Sequence, residues 1–389
     1  MRILFTTSPT FSHTTPLIPL AQAAQLAGHQ VIFAGGEITR RTATGAGLAV
    51  LDPAPGQDVA EPHRSFLADP ANFDLPPDKA VGAFVGMLSR IGQTMLPGLV
   101  SAARDWKADV VVTPAWMPWG LLAARVAGAL GVVHGIGMRY PTVPWMTDEL
   151  PDAVTRHGVT EFPEHGDVEV SLSPESLDQL SPISPGEVPY PVLSMRPCTY
   201  NGSQEVQPWV LRKERATRIA VTMGTTSADR GWPEVLEAVV HGAADLDAEV
   251  VLATGGVDVS SIIGPVPDSV RVVDFVPLNI LLSDSDAIVH HSGMSSMFSA
   301  FCAGVPQVAL PRAVGDGPIN AHIINSRGVG TAVSRPEVTP ELISKALREV
   351  VDVPDYRAAA ADLVQEMAAM PAPQDVVAQI ADLVEARER

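Results

Sequence analysis

The chain has 389 residues, 46% of them hydrophobic, with a mean hydropathy of +0.17. That is enough for two domains, three at most, each with its own core, and it excludes intrinsic disorder. Its 26 basic and 44 acidic side chains leave a net charge of −18; no Lys/Arg-rich run offsets it, which disfavours nucleic acid and anionic membrane as partners.

The first β-rich run, residues 2–6, leads through a loop to a helix over 16–27, where Leu17, Leu20, Ala21 and Ala24 recur at helical spacing and Gly28 stands at the C-cap. Residues 31–33 and 48–51 are the next strands. Their apolar runs do not alternate, so they predict a parallel sheet covered on both faces. Residues 53–77, rich in Pro, Asp and Ala, read as a long loop. A helix over 81–100 is weakened by Gly82, Gly86, Gly92 and Pro97. Residues 109–113 are a buried strand, 119–130 a helix and 132–133 the start of another strand, before a proline-rich acidic stretch over 141–191.

A second βαβ series starts near Arg218, with strands over 219–222, 249–253, 271–273 and 287–290 and helices over 232–244, 295–302 and 319–326. Residues 200–209 make the natural linker, and no repeat of 20–50 residues is present. The fold class predicted is α/β, two doubly wound Rossmann-like domains that hold a ligand in the cleft between them, at strand C-terminal ends. Cys198 and Cys302 are far apart without metal-ligand spacing, the N-terminus lacks a secretory apolar core, and the longest apolar stretch is interrupted by Arg125. These features predict a soluble cytoplasmic protein.

The strongest local signal is residues 286–296, DAIVHHSGMSS. A buried strand ends in His290 and His291, a turn of small residues follows, and a helix starts near Ser295. N–H groups at a helix start bind an anion without net positive charge, so an acidic protein can still hold phosphate there; the same segment also reads as an ordinary serine-capped turn. Thr222-Met-Gly-Thr-Thr226 could meet that anion from another side, or be only a turn. Asp316 suits sugar hydroxyls, or an N-cap before Ile319. His13, in the first strand-to-helix loop, can act as a general base near neutral pH, although a lone surface histidine is commoner. Neither a Gly-x-x-x-x-Gly-Lys-Ser/Thr loop nor Gly-x-Gly-x-x-Gly after a strand occurs, and Gly-x-Ser-x-Gly and His-Glu-x-x-His are absent.

Taken in order, these residues resemble the GT-B fold glycosyltransferases of family 1, in the bacterial branch that transfers nucleotide-activated deoxysugars in antibiotic biosynthesis. The likeness runs from Ser12-His13-Thr-Thr-Pro16 through Tyr200-Asn-Gly202, Met223-Gly-Thr225, Asp274-Phe-Val-Pro-Leu278, His290-His291, Ala303-Gly-Val-Pro-Gln-Val308 and Asp316-x-x-x-Asn320-Ala321 to Met370-Pro371. The resemblance implies an N-terminal acceptor domain over 1–205, a nucleotide-sugar domain over 206–372, and a helix over 373–389 packing back on the first domain. It implies inverting, metal-independent transfer from a donor, dTDP-linked, to a hydroxyl of an aglycone such as a polyketide, with no cofactor besides the sugar nucleotide. His13 matches the catalytic base. Thr225, His291, Gly293, Met294, Ser295 and Ser296 match the diphosphate site, Phe275 and Val276 the nucleobase contact, and Asp316 and Gly317 the donor-sugar contact.

The turn after the histidines departs from the family's usual Gly-Gly-Ala-Gly-Thr. Two glycines have become Ser292 and Ser295, and Met294 adds bulk, so a positive φ there would be strained, while the serine hydroxyls could donate to phosphate. Gly317 stands where Gln is common, which suits a donor with fewer hydroxyls. No acid occurs at Val112-Thr-Pro-Ala115, where some members place an aspartate that orients the histidine; another carboxylate serves, or the acceptor is as acidic as a phenol. Phe66, Phe73, Phe84, Met87, Trp116, Trp119, Met138, Tyr140 and Trp145 are the acceptor-site candidates, at least half of them expected in the core. Attack by an aromatic carbon, a non-catalytic sugar-nucleotide-binding protein and, less well fitted, a sugar-nucleotide epimerase are the alternatives. The expected partners are the aglycone and the sugar nucleotide, and a homodimer or an activator protein is compatible with the sequence.

Overall fold

Apolar strand runs with no alternation produce two all-parallel sheets, each with its own layers of helices. The computed structural model describes residues 1–73, 75, 77–140, 165–224, 233–312 and 315–388. It divides into two compact units. The first comprises Met1–Gln179, Ile183–Gly202 and Met370–Arg389, and the second Leu180–Pro182 and Ser203–Ala369.

In chain order, unit 1 runs β1 (Arg2–Thr6), α1 (Phe11–Thr14), α2 (Ile18–Leu26), β2 (Gln30–Ala34), α3 (Glu37–Gly45), β3 (Ala49–Leu51), α4 (Glu61–Ala68), α5 (Pro77–Asp105), β4 (Val110–Pro114), α6 (Pro118–Ala127), β5 (Leu130–His134), β6 (Val168–Ser171), α7 (Glu175–Leu180) and β7 (Val192–Ser194). Its seven strands are ordered β3-β2-β1-β4-β5-β6-β7. Unit 2 runs β8 (Thr217–Thr222), α8 (Pro233–Ala244), β9 (Ala248–Ala253), α9 (Val259–Ile263), β10 (Val270–Val273), α10 (Leu278–Leu281), β11 (Ala287–His290), α11 (Met294–Ala303), β12 (Gln307–Ala309), α12 (Gly317–Arg327), β13 (Gly330–Ala332), α13 (Pro340–Asp352) and α14 (Pro354–Ala369). Its strand order is β10-β9-β8-β11-β12-β13. The last helix, α15 (Pro373–Glu388), packs on α2 of unit 1. Near its end, Arg387 bonds the Ala129 carbonyl at 3.2 Å and Asp167 at 3.0 Å.

Strand order reverses between β1 and β4 in the first sheet and between β8 and β11 in the second. At such a reversal the connections leave to opposite faces, and a crevice opens beyond the strand C-terminal ends. Each unit thus has one topological switch point, and both histidine motifs lie there.

Three expectations need correction. Residues 53–77 are not one long loop: they carry α4, with Pro62 in its first turn, and a 3-10 turn at Pro70–Phe73. Pro supplies a preset φ and a missing donor where a helix has no use for one. The α5 helix is longer than its glycines suggest, 29 residues with Pro97 inside. Gly92, one of them, and Gly98 beyond Pro97 are contact points. A Cβ on Gly92 would stand 2.5 Å from the Trp119 ring, and one on Gly98 would stand 1.8 Å from the Pro53 carbonyl oxygen. The proline-rich stretch, where described, holds β6 and α7. The β6 strand is hidden in the sequence because Glu169 interrupts its apolar run, buried at 5% exposure and paired to Arg139 at 2.8 and 2.9 Å.

In an ordinary helix interior Gly→Ala stabilises by about 0.5–1 kcal/mol. Gly98→Ala should do the reverse, lowering stability by about 2 kcal/mol or more, because the rigid Pro53 backbone cannot yield. Thermal melting of the variant beside Gly82→Ala, which has open space around it, gives the contrast. Equal melting temperatures would contradict the close approach.

Candidate active site

His13 follows β1 within the one-turn helix α1 at the switch point of unit 1. Its Nδ1 lies 2.6 Å from Ser8 Oγ, which in turn is 3.2 Å from Thr10 Oγ1, and its carbonyl accepts from Thr7 Oγ1 at 3.0 Å. The ring is thereby fixed from behind by a hydroxyl chain, with no carboxylate among these partners. Ser8 is nearly fully buried, and no spacing in the sequence marks it. Burial, and next the charge of His63, lower the His13 pKa to about 4, so the imidazole is neutral at pH 7 and a weak base.

Beside it stands a continuous aromatic wall. Trp116 meets His13 edge-on at 6.3 Å, Tyr140 at 4.7 Å and Phe84 at 5.6 Å, and Phe84 meets Phe66 at 6.3 Å. Four of the acceptor candidates, Phe66, Phe84, Trp116 and Tyr140, therefore come together. Met87 (1% exposed) and Trp119 (0%) are core residues instead, so Met87 is corrected from an acceptor contact to a packing role, whereas Met138, also 1% exposed, lines the cavity beside His13. Trp145 and the Phe73 side chain lie outside the described residues. A cavity of about 20 Å³ adjoins the wall, lined by His13, Trp116, His134, Arg139, Tyr140 and Glu169 among others.

At the switch point of unit 2, β11 ends in the paired histidines. His290 is fully buried, and its tautomer follows from its partners. The Ser292 N–H donates to Nδ1 at 3.1 Å, so Nε2 bears the proton and donates to Gln307 Oε1 at 2.8 Å. Its pKa falls to about 4 through burial. His291 is pushed lower still, to about 3, by burial and then by the neighbouring His290 and Arg312. Two glycines flank its ring: a Cβ on Gly224 would lie 2.5 Å from Cε1, and one on Gly293 2.3 Å from Nε2. Gly224 also has φ +77°, so both its conformation and its neighbour require glycine. The His291 Nδ1 is buried with no hydrogen-bond partner among the described residues. It is a neutral imidazole at pH 7.

The expected positive φ falls on Ser292, at +66°. For a side-chain-bearing residue this costs roughly 1–2 kcal/mol. The conformation is secured by Ser292 Oγ donating to the Gly317 carbonyl at 2.9 Å and by Asn320 Nδ2 donating to the Ser292 carbonyl at 2.8 Å. The Ser292 hydroxyl is thus committed to backbone and is not a phosphate donor. Gly293 is the N-cap of α11 and makes no side-chain cap. Met294 is 7% exposed, so its bulk turns into the protein. Ser295 and Ser296 occupy the first turn. Thr225 lies outside the described residues.

Asp316 stands at the N-cap position of α12 but does not cap it. Its carboxylate takes Asn320 Nδ2 at 3.1 Å and the Met294 N–H at the start of α11. Burial raises its pKa despite those donors. Gly317 follows in the first turn, buried against the Arg312 backbone. Phe275 and Val276 lie in the loop after β10; Val276 is 6% exposed and packs in the core with Leu281 and Trp209, which leaves Phe275 as the more accessible of the pair.

Stability of the turn tests this account. At position 292, Gly relieves the φ penalty while losing one hydrogen bond, whereas Ala keeps the penalty and loses the bond as well. Ser292→Ala should therefore be less stable than Ser292→Gly by about 1 kcal/mol, read as urea midpoints; Ala above Gly would contradict the left-handed turn. The depressed histidines give a second expectation. The unfolded chain takes protons near pH 6.5 that the native state refuses until about pH 4, so this part of the stability is complete above pH 6.5 and is lost as pH falls towards 4. Urea midpoints should fall through that window, and His134→Phe should lessen the slope by one titrating group. An unchanged slope would count against the buried neutral form.

Comparison with known proteins agrees with the geometry. Residues 22–224 match the N-terminal domain, and residues 237–383 the C-terminal domain, of the family described as erythromycin biosynthesis protein CIII-like. The chain is 28% identical to 3-alpha-mycarosylerythronolide B desosaminyl transferase of Saccharopolyspora erythraea, covering 100% of this chain and 99% of that one. It is 32% identical to L-demethylnoviosyl transferase of Streptomyces niveus over 98% of each. Among solved structures, the glycosyltransferase SnogD from Streptomyces nogalater superposes with a TM-score of 0.85 at 31% identity over 99% of both chains. The glycosyltransferase VinC, solved in complex with dTDP, gives 0.80 at 28% identity over 99% of this chain and 100% of that one. The chain belongs to the erythromycin biosynthesis protein CIII-like family and is a nucleotide-sugar-dependent glycosyltransferase of the GT-B fold, family 1, in the antibiotic deoxysugar-transferring branch.

Proposed function

We propose that the chain transfers a deoxysugar from a dTDP-linked donor to a hydroxyl of a natural-product aglycone, with inversion and without a metal ion. His13 Nε2 takes the hydroxyl proton as the acceptor oxygen attacks the anomeric carbon. The new bond is acceptor oxygen to carbon, the broken bond is carbon to diphosphate oxygen, and the nucleoside diphosphate leaves from the opposite face. The observation that carries this reading is the His13 setting: a neutral ring, tied at Nδ1 to Ser8, beside an aromatic wall. A hydroxyl cannot stabilise the imidazolium as a carboxylate would, so the base is weak. That suits an acceptor whose hydroxyl is itself acidic, a phenol with a pKa of about 10.

On the donor side, neutral His291 offers an N–H, and the first turn of α11 offers N–H groups and the Ser295 and Ser296 hydroxyls, with Thr225 assigned beside them. Such preorganised donors stabilise the departing diphosphate without net positive charge. Phe275 is assigned to the nucleobase with the Val276 backbone, and Asp316 to sugar hydroxyls, with Gly317 leaving room where a deoxysugar lacks one. The dTDP bound by VinC supports the choice of nucleobase. No helix among the described residues is long and apolar enough to cross a membrane; neither Cys198 nor Cys302 is in a disulfide, which supports a reducing cytoplasm as the assigned compartment.

Calorimetric titration with dTDP and UDP, in chelator, tests the donor half. We expect micromolar binding of dTDP in preference to UDP, weakened tenfold or more by His291→Ala and unchanged by His13→Ala. With a dTDP-deoxysugar and a phenolic acceptor, His13→Ala should lower turnover by 10²-fold or more. Absence of dTDP binding, or full turnover without His13, would overturn the reading.

A further inference from the structure

Two histidines line the cavity in unit 1, and the chemistry above uses only His13. His134 closes β5 beside Pro114 of β4 and is fully buried. Its Nδ1 lies 2.6 Å from the Gly135 carbonyl oxygen. A carbonyl can only accept, so Nδ1 carries the proton and Nε2 presents a bare lone pair. Burial keeps the ring from gaining a second proton, lowering its pKa to about 4. That Nε2 is buried and has no hydrogen-bond partner among the described residues.

An unsatisfied buried acceptor costs about 1–3 kcal/mol, and the adjoining cavity of about 20 Å³ has room for one hydroxyl or water to complete it. The charged part of the same lining is already closed. Arg139 spends Nε and Nη2 on Glu169 and Nη1 on the Gly186 carbonyl at 3.2 Å. A lone pair in this position attracts an O–H or N–H donor and repels a carbonyl or ether oxygen. The edge-on rings of Trp116 and Tyr140 favour a flat group beside it.

Resting on the acceptor-site reading above, we propose that His134 Nε2 accepts a hydrogen bond from a second hydroxyl of the acceptor. His134 is thus a specificity residue that selects aromatic acceptors carrying at least two hydroxyls over those carrying one. His13 takes the reacting hydroxyl, and His134 holds the other.

Acceptor binding can be measured without donor, by quenching of tryptophan fluorescence under argon. The probes are 1-naphthol and the 1,2-, 1,3- and 1,8-dihydroxynaphthalenes. We expect at least one diol to bind wild type about tenfold more tightly than 1-naphthol. His134→Phe should abolish that gap while leaving 1-naphthol affinity within about threefold, and His134→Gln, whose carbonyl can accept in the same region, should retain part of it. Diols no tighter than 1-naphthol, a gap that survives His134→Phe, or no binding of any probe would each overturn the proposal. Calorimetry with dTDP on the same preparations separates the two readings: loss of dTDP binding with the diol preference intact would overturn the dTDP-donor reading and leave this one standing.

Discussion

Parallel strand pairing is the constraint from which the rest follows. Every strand in a sheet points the same way, so all C-terminal ends share one edge, and each connection must cross back over a face of the sheet. Where the order reverses, between β1 and β4 and between β8 and β11, no helix covers the edge. Side chains placed just past β1, β4, β8 and β11 therefore converge without being close in sequence. His13 and Trp116 meet in one unit, and Gly224 and His291 in the other, for this reason.

Burial then decides the chemistry of those side chains. Desolvation disfavours the charged imidazole, and each of the four site histidines titrates well below its ordinary range. Such rings act through hydrogen-bond direction, not charge. The direction is set by whatever occupies the other nitrogen: Ser8 for His13, the Gly135 carbonyl for His134, and Gln307 with the Ser292 N–H for His290. An acidic protein can handle anionic leaving groups in this way, because oriented dipoles do the work that excess lysine or arginine would otherwise do.

The strands and histidine motifs were legible because buried parallel strands are apolar runs and their ends are marked by small residues. The strain at Ser292 was legible too, since the turn needed a conformation that serine adopts at a cost. What was hidden depends on pairing across the sheet. Ser8 and Gln307 matter only through the ring each one meets. His134 ends a strand whose identity in sequence was just two valines. Gly92 looked like a helix breaker, yet the helix runs through it and through Gly98, where a ring and a carbonyl occupy the space their side chains would fill. Glu169 concealed a strand because a buried carboxylate reads as a loop until its arginine is known.

The docking of α15 bears on how the chain comes to be folded. Arg387 bonds the Ala129 carbonyl, 258 positions earlier, and α2 receives the same helix on its face. Unit 1 is the first to leave the ribosome, yet one of its layers is synthesised only after the whole of unit 2. Until then α2 lacks the helix that packs on it and Asp167 lacks its arginine. Such non-local contacts form late, and a fragment ending after unit 2 would leave unit 1 without its last helix.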